Sequence, residues 1–153
     1  MGIRLKLAET GKELDDVFWV RRQVFSVEEG KFGGSDPADL LMVDRFDAHP
    51  RCANLIAYDG EEPIATIRVN LDTGNGLPPE NLYNFSTERE HIARAWKLQG
   101  GKEPLFLSAG MLAVRRAWRC RRDVVRALIK LATTIGESWG GTHVIVTGNH
   151  ENE

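Results

Sequence analysis

The sequence predicts an α/β domain, a mixed and twisted sheet flanked by helices in the order β-α-β-β-α-β-α-β. Residues Ile3-Arg4-Leu5-Lys6-Leu7-Ala8 alternate apolar and polar side chains with the period of two that a half-buried strand needs. Two longer stretches, beginning near Lys12 and Asp123, instead space their apolar residues at helical intervals. Two β-rich runs, Asn54 to Tyr58 and Pro63 to Asn70, meet at Asp59-Gly60, a hairpin-turn signal. Strands joined partly by hairpins and partly by helical crossovers define a mixed sheet with helical cover.

After the first strand, Thr10-Gly11-Lys12-Glu13 sets a capping Thr three residues ahead of a Glu, a pairing that satisfies free amides at a helix start. The apolar set Leu14, Val17, Phe18, Val20, Val24 and Phe25 carries that helix from about Lys12 to Glu28. Gly30 through Pro37, containing Gly33-Gly34-Ser35-Asp36-Pro37, reads as a mobile loop. Between Asp72 and Lys102 the signals are weaker, with a loop at Gly74 to Pro79 and a helix from Glu88 to Leu98. Leu105 to Val114 is a buried strand whose Gly110 marks a bulge or a close backbone approach. Asp123 to Trp139 is a helix with Val124, Leu128, Leu131, Ala132 and Ile135 on one face, ended by Gly140-Gly141. Thr142 to Thr147 forms the final strand.

The chain has 153 residues, 42% hydrophobic and 27% charged, enough for one domain with its own core. The longest uncharged apolar stretch, Leu105 to Val114, is ten residues, against about 20 for a membrane-spanning helix. No membrane span is therefore expected. The first residues lack a signal-peptide core, and Lys6 stands where a myristoylation signal has Ser or Thr, so a cytoplasmic location is expected. Cys52 and Cys120 lie far apart without CxxC spacing, and His49, His91, His143 and His150 are scattered. Reduced thiols and no metal site follow.

Net charge is −2, but its distribution is uneven. Six arginines, at 115, 116, 119, 121, 122 and 126, share twelve residues with the single acid Asp123, so +5 sits there and −7 on the remainder. This run separates a strand from a helix start, where unpaired amides and guanidinium groups together suit a phosphate or pyrophosphate. A solvated helix face is the other reading, and the residues alone do not decide between the two. Nucleic acid is disfavoured, because the rest of the chain is acidic and carries no binding motif.

The strand Met111-Leu112-Ala113-Val114, the turn through Arg119 and the helix Val124-Val125-Arg126-Ala127-Leu128 resemble the GNAT acyltransferase superfamily. That family's turn reads Arg or Gln, two residues, Gly, one residue, then Gly or Ala. Arg119 matches the first position, while Arg122 and Val124 replace the glycines. The resemblance implies a donor site at Leu112, Val114, Arg119, Cys120, Arg121, Arg122, Asp123 and Val124, with Asn149 near the donor at the exit of the fifth strand. The donor it implies is an acyl-CoA or acyl-carrier-protein thioester.

Arg21-Arg22-Gln23-Val24-Phe25, Asp44-Arg45-Phe46-Asp47, Thr66-Ile67-Arg68 and the loop Leu77 to Phe85 resemble the autoinducer-synthase-like branch, which includes long-chain N-acyl amino acid synthases. By that resemblance Arg21, Asp44, Asp47 and Arg68 shape the acyl-transfer site for a small amino-acid-like amine. Read as residues alone, Phe25 is a core side chain, Arg21 a partner for a nearby acid, and the two aspartates turn caps.

The branch carries a Glu and, three positions on, an Arg where this chain has Ser108 and Met111. Ser108 cannot by itself deprotonate an amine; a held water or Asp47 is the alternative base. By the same comparison the family's fourth helix, last two strands and a Tyr fall beyond Glu153, so a C-terminally incomplete domain is expected, with self-association through its last strand, a swapped element from another chain, or a fluctuating C-terminal end. The favoured expectation is N-acyl transfer from a thioester to an amino-acid-like amine. The rivals are a plain acetyl-CoA N-acetyltransferase and a catalytically degenerate acyl-binding module.

Overall fold

A computed structural model describes residues 2–31 and 41–148. Residues 32–37 of the loop expected over 30–37, and Asn149, lie outside the described residues. Five strands form one sheet in the spatial order β1-β2-β3-β4-β5: β1 (Ile3–Leu7), β2 (Cys52–Asp59), β3 (Glu62–Leu71), β4 (Phe106–Val114) and β5 (His143–Ile145). The first four are antiparallel to their neighbours, and β5 runs parallel to β4. Three α-helices accompany them: α1 (Gly11–Arg21), α2 (Ser86–Leu98) and α3 (Arg122–Ser138). This is the expected mixed sheet flanked by helices, with the expected element order.

Local chemistry explains the boundaries. The Thr10 hydroxyl accepts from the Glu13 amide at 3.3 Å, and the Glu13 carboxylate accepts from the Thr10 amide at 3.1 Å, which closes the start of α1. Gly60 takes φ +60° in the β2–β3 turn, a conformation glycine adopts without steric cost. The helix expected over 12–28 is continuous but not uniform: after Arg21 it widens into a π-helical segment, Arg22–Glu28. Such segments are rare overall and frequent at functional sites.

The strand period of two divides the core. Leu55, Ala57, Ala65, Ile67, Val69 and Leu107 pack with Val124, Leu128 and Ala132 of α3. The alternate face gives Ile56 and Tyr58 to Val17 of α1, and Ala113 to Val20 and Val24. Helix α2 buries no residue and is fastened at its edge, with Trp96 against His143 at 5.1 Å and Arg89 over Phe106 at 4.4 Å.

The last strand is shorter than the expected 142–147. Pairing with β4 covers only Phe106–His143, Leu107–Val144 and Ser108–Ile145. Beyond Ser108, β4 carries a bulge: Thr66 opposes Ala113 but Arg68 opposes Gly110, so β4 spends one extra residue there. Met111 has φ +51°, the one positive value at a non-glycine among the described residues. A bulge bends and twists its strand, and the chain after Ile145 parts from β4 just before it.

Candidate functional site

Arg21, on the last turn of α1, is fully buried, and so is Arg68 on β3. Two buried guanidinium groups require carboxylates, and the segment before β2 supplies them. Asp47 accepts from Arg21 at 2.9 and 3.0 Å and lies 3.1 Å from Arg68. Asp44 takes Arg68 in a two-pronged pair at 2.6 and 3.0 Å. The aspartates also cap the short 3₁₀ turn Arg45–Ala48, since the Asp44 amide donates to Asp47 and the Phe46 amide donates to Asp44. Asn54 on β2 accepts from Arg21 and donates to Asp47 at 3.2 Å. Asn70 on β3 donates to the Phe46 carbonyl at 3.0 Å.

These contacts set the protonation states. Burial alone would raise the Asp47 carboxyl, but Arg21, the Asp44 amide and Arg68 outweigh it and hold the group below the ordinary carboxylate range. Burial lowers the Arg21 guanidinium against the pull of Asp47. Burial likewise pushes the Cys52 thiol up to about 11, which keeps it an inert thiol. A carboxylate held between two guanidiniums is a poor proton acceptor, so Asp47 does not suit the role of base. The structure thus brings Arg21, Asp44, Asp47 and Arg68 together and makes turn-capping and ion pairing two uses of the same aspartates. Ser108 lies opposite Asn70 and is buried on the same sheet face.

The arginine run is mostly engaged by the protein itself. Arg115 pairs with Glu62 and sits 4.9 Å from the Trp19 ring and 5.1 Å from Trp118. The Arg116 side chain donates to the Glu28 carbonyl at 2.8 Å, and its amide donates to the Glu28 carboxylate at 2.9 Å. Arg119 donates to Glu28 and Glu29, each at 3.1 Å. Arg121 pairs with Asp123 at 2.7 Å, holding that carboxyl down at about 2. Within the turn, the amides of Arg119, Arg121, Arg122 and Val124 donate to nearby carbonyls at 2.9 to 3.3 Å. The Val124 side chain belongs to the core, and Cys120 is exposed. Among the described residues, Arg122 and Arg126 remain exposed and unpaired, one helical turn apart at the start of α3.

Where β4 and β5 part, a cleft of about 750 Å³ opens. Ile67, Val69, Leu107, Ala109, Ile129 and Ala132 form its floor on the α3 face, with Val144 and Val146 on the β5 side. Met111, Leu112 and Gly110 line the bulge, and Phe25, Lys31, Leu82 and Tyr83 close the opposite wall. Thr133, Glu137 and Thr142 add polar groups on α3 and at the start of β5. Phe25 therefore packs against the core and also faces the cleft. The ion network lies one register position behind: Arg68 does not line the cleft, but its cross-strand partner Gly110 does. Among the described residues no group of His, Cys, Asp and Glu side chains is arranged to hold a metal, and no helix is long and apolar enough to cross a membrane.

Sequence reasoning missed the roles of Asn54, Asn70, Glu28 and Glu29. The two asparagines were detectable, since each interrupts a β-rich run with an amide that must find a partner if buried. Glu28 and Glu29 carried no such signal.

A mixed sheet that opens beside a bulged fourth strand, followed by a basic turn and a crossover helix, defines a GNAT acyltransferase fold. Within it the chain belongs to the family of the N-acyl amino acid synthase FeeM, whose profile matches residues 16–152. The structure of FeeM, an N-acyl amino acid synthase from uncultured soil microbes, superposes with a TM-score of 0.70 at 15% identity, covering 98% of this chain and 73% of FeeM. An aminoglycoside 6′-N-acetyltransferase from Acinetobacter baumannii gives 0.61 at 11% identity over 99% and 82% of the two chains. The acetyltransferase AAC(6′)-Iy, solved with a bisubstrate analogue containing CoA, gives 0.60 at 14% over 99% and 83%. No curated protein sequence matches the chain significantly.

Proposed function

We propose that this chain moves an acyl group from a phosphopantetheine thioester, on CoA or a carrier protein, to an amino-acid-like amine. The apolar cleft at the β4–β5 opening carries this reading, because its floor of aliphatic side chains suits a long acyl chain. Beyond Ser108 the β5-facing edge of β4 has no strand partner among the described residues, so its amides and carbonyls are available to the amide groups of a pantetheine arm. Arg122 and Arg126 supply positive charge for the donor's phosphate from the head of α3. The amides of Arg119, Arg121, Arg122 and Val124 already donate within the turn, so side chains would carry much of the recognition of that phosphate.

The chemistry needs no group beyond the substrates. The neutral amine adds to the thioester carbonyl, the C–N bond forms as C–S breaks, and the amine proton leaves with the thiol. The protein contributes alignment and exclusion of water from the acyl chain. Asp47 is engaged by its arginines and Ser108 has no ionisable base strength, so the amine must arrive deprotonated from solution or through water. The buried ion network acts as a positioning element, locking β3 and the 44–48 turn behind Gly110.

Ser108 also favours a second reading, an acyl-binding module without turnover. Incubation of the protein with long-chain acyl-carrier protein, long-chain acyl-CoA or acetyl-CoA, together with amino acids, separates the readings by thiol release and N-acyl product. Long-chain donors should be consumed in preference to acetyl-CoA. Equal or faster use of acetyl-CoA would make the protein a plain acetyltransferase, and binding without thiol release would make it the module.

A further inference from the structure

Gly110 is the one glycine inside a strand among the described residues. A glycine inside a strand weakens it unless the backbone or the packing demands one. The backbone does not: φ at Gly110 lies outside the positive range that the bulge imposes on Met111. Packing does not either. A Cβ on Gly136 would come within 2.7 Å of the Leu107 side chain and one on Gly141 within 2.2 Å, whereas a Cβ on Gly110 meets no described atom within 4 Å. It would point, like the Arg68 side chain across from it, to the α1 face of the sheet, and Gly110 lines the cleft.

We propose that Gly110 is a specificity-determining position, whose missing side chain opens the bore through which the donor's acyl chain passes between β4 and the wall bearing Phe25. The inference rests on the reading of the cleft as an acyl site. With Gly110 the passage joins the aliphatic floor on the α3 face to the space beside Phe25, so a chain can cross the sheet plane where β5 has departed. A side chain at 110 fills that crossing point and leaves only the near part of the cleft. Chain length, not donor headgroup, is what this position selects.

The test uses non-transferable donors, S-alkyl-CoA thioethers from butyl to hexadecyl, titrated calorimetrically against the wild type and against Gly110→Ala, Gly110→Val and Gly110→Leu. In the wild type, affinity should climb with chain length by up to about fourfold per buried methylene. Gly110→Leu should bind the butyl compound within about twofold of wild type yet lose about tenfold or more for hexadecyl, its affinity levelling off at a shorter chain. Alanine and valine should fall in between, and they decide the matter if the leucine variant does not fold. An unchanged length profile in folded variants overturns the proposal while leaving the acyl site standing. A wild type indifferent to chain length overturns the acyl site itself, and the role of Gly110 with it.

Discussion

Removing the charge of Asp47 should be among the most damaging single changes available in this protein. Its carboxylate is the shared partner of Arg21 and Arg68, both buried, and its side chain is only 4% exposed. Deleting one partner of a buried pair costs about 3–5 kcal/mol, because the remaining cation stays buried without compensation. For a domain of this size each kcal/mol lowers the melting temperature by about 2–4 °C, so Asp47→Ala should melt about 6–20 °C below wild type. Asp47→Asn preserves shape and one acceptor and should fall between them. The double variant Arg21→Met/Asp47→Leu should lose less than Asp47→Ala, since it removes the orphaned charge as well. The pH dependence has a definite sign. Because the native Asp47 carboxyl is held below its unfolded value of about 3.9, its contribution is complete above that pH and fades as pH falls through the lower native value. Urea unfolding of wild type and Asp47→Asn from pH 7 downward would show the wild-type advantage shrinking below about pH 4. Asp47→Asn within about 0.5 kcal/mol of wild type at pH 7 would refute the account.

Replacing both Arg122 and Arg126 by Ala should weaken acyl-CoA binding by about tenfold and flatten its salt dependence, as calorimetry at two ionic strengths would show. Gly141→Ala should cost about 1–3 kcal/mol in urea unfolding, because its Cβ would lie 2.2 Å from the Leu107 side chain and 2.9 Å from the Gly136 carbonyl. The rate of acyl transfer at subsaturating amine should keep rising with pH until the acceptor amine is itself deprotonated. A plateau well below the acceptor's own pKa would reveal a base on the protein that the described residues do not suggest.

The strands and helices were legible because their signals are local. Alternation at Ile3 to Ala8, the capping pair Thr10 and Glu13, and the Asp59-Gly60 turn each act within a few residues, and each appears where expected. The end of β5 was not legible, because Val144, Val146 and their neighbours have strand character whether or not β4 stays alongside. What ends the pairing at Ile145 is the course of a different strand. The π-helical widening after Arg21 was hidden for a similar reason: a one-residue insertion barely alters helical spacing over so short a run. Within the candidate site, the motif residues Arg21, Asp44, Asp47 and Arg68 lie together, and their mutual pairing follows once both arginines are buried. Glu28 was out of reach, since the arginine it holds by the backbone amide is 88 positions away.

The arginine run shows why charge clustering in a sequence and charge available to a ligand are different quantities. Four of the six guanidiniums are spent inside the molecule: Arg115 on Glu62 and two indole rings, Arg116 and Arg119 on the end of the π-helical segment, Arg121 on Asp123. These contacts tie the Phe25 wall of the cleft to the turn that opens α3, which gives the run a structural use apart from any donor. Arg116, Arg119 and Arg121 are exposed but paired, and among the described residues of the run Arg122 and Arg126 are exposed without a partner. Arg122 stands where the glycine pattern of the fold family has its first glycine, and the amides around it already serve carbonyls of the turn. On the proposed reading, Arg122 sets a charged side-chain donor at the end of the helix where the glycine pattern relies on neutral amides. Charge-assisted contacts of that kind are stronger but exposed, and salt weakens them. Donor recognition in this protein should therefore be more sensitive to ionic strength than in a relative that retains the glycines.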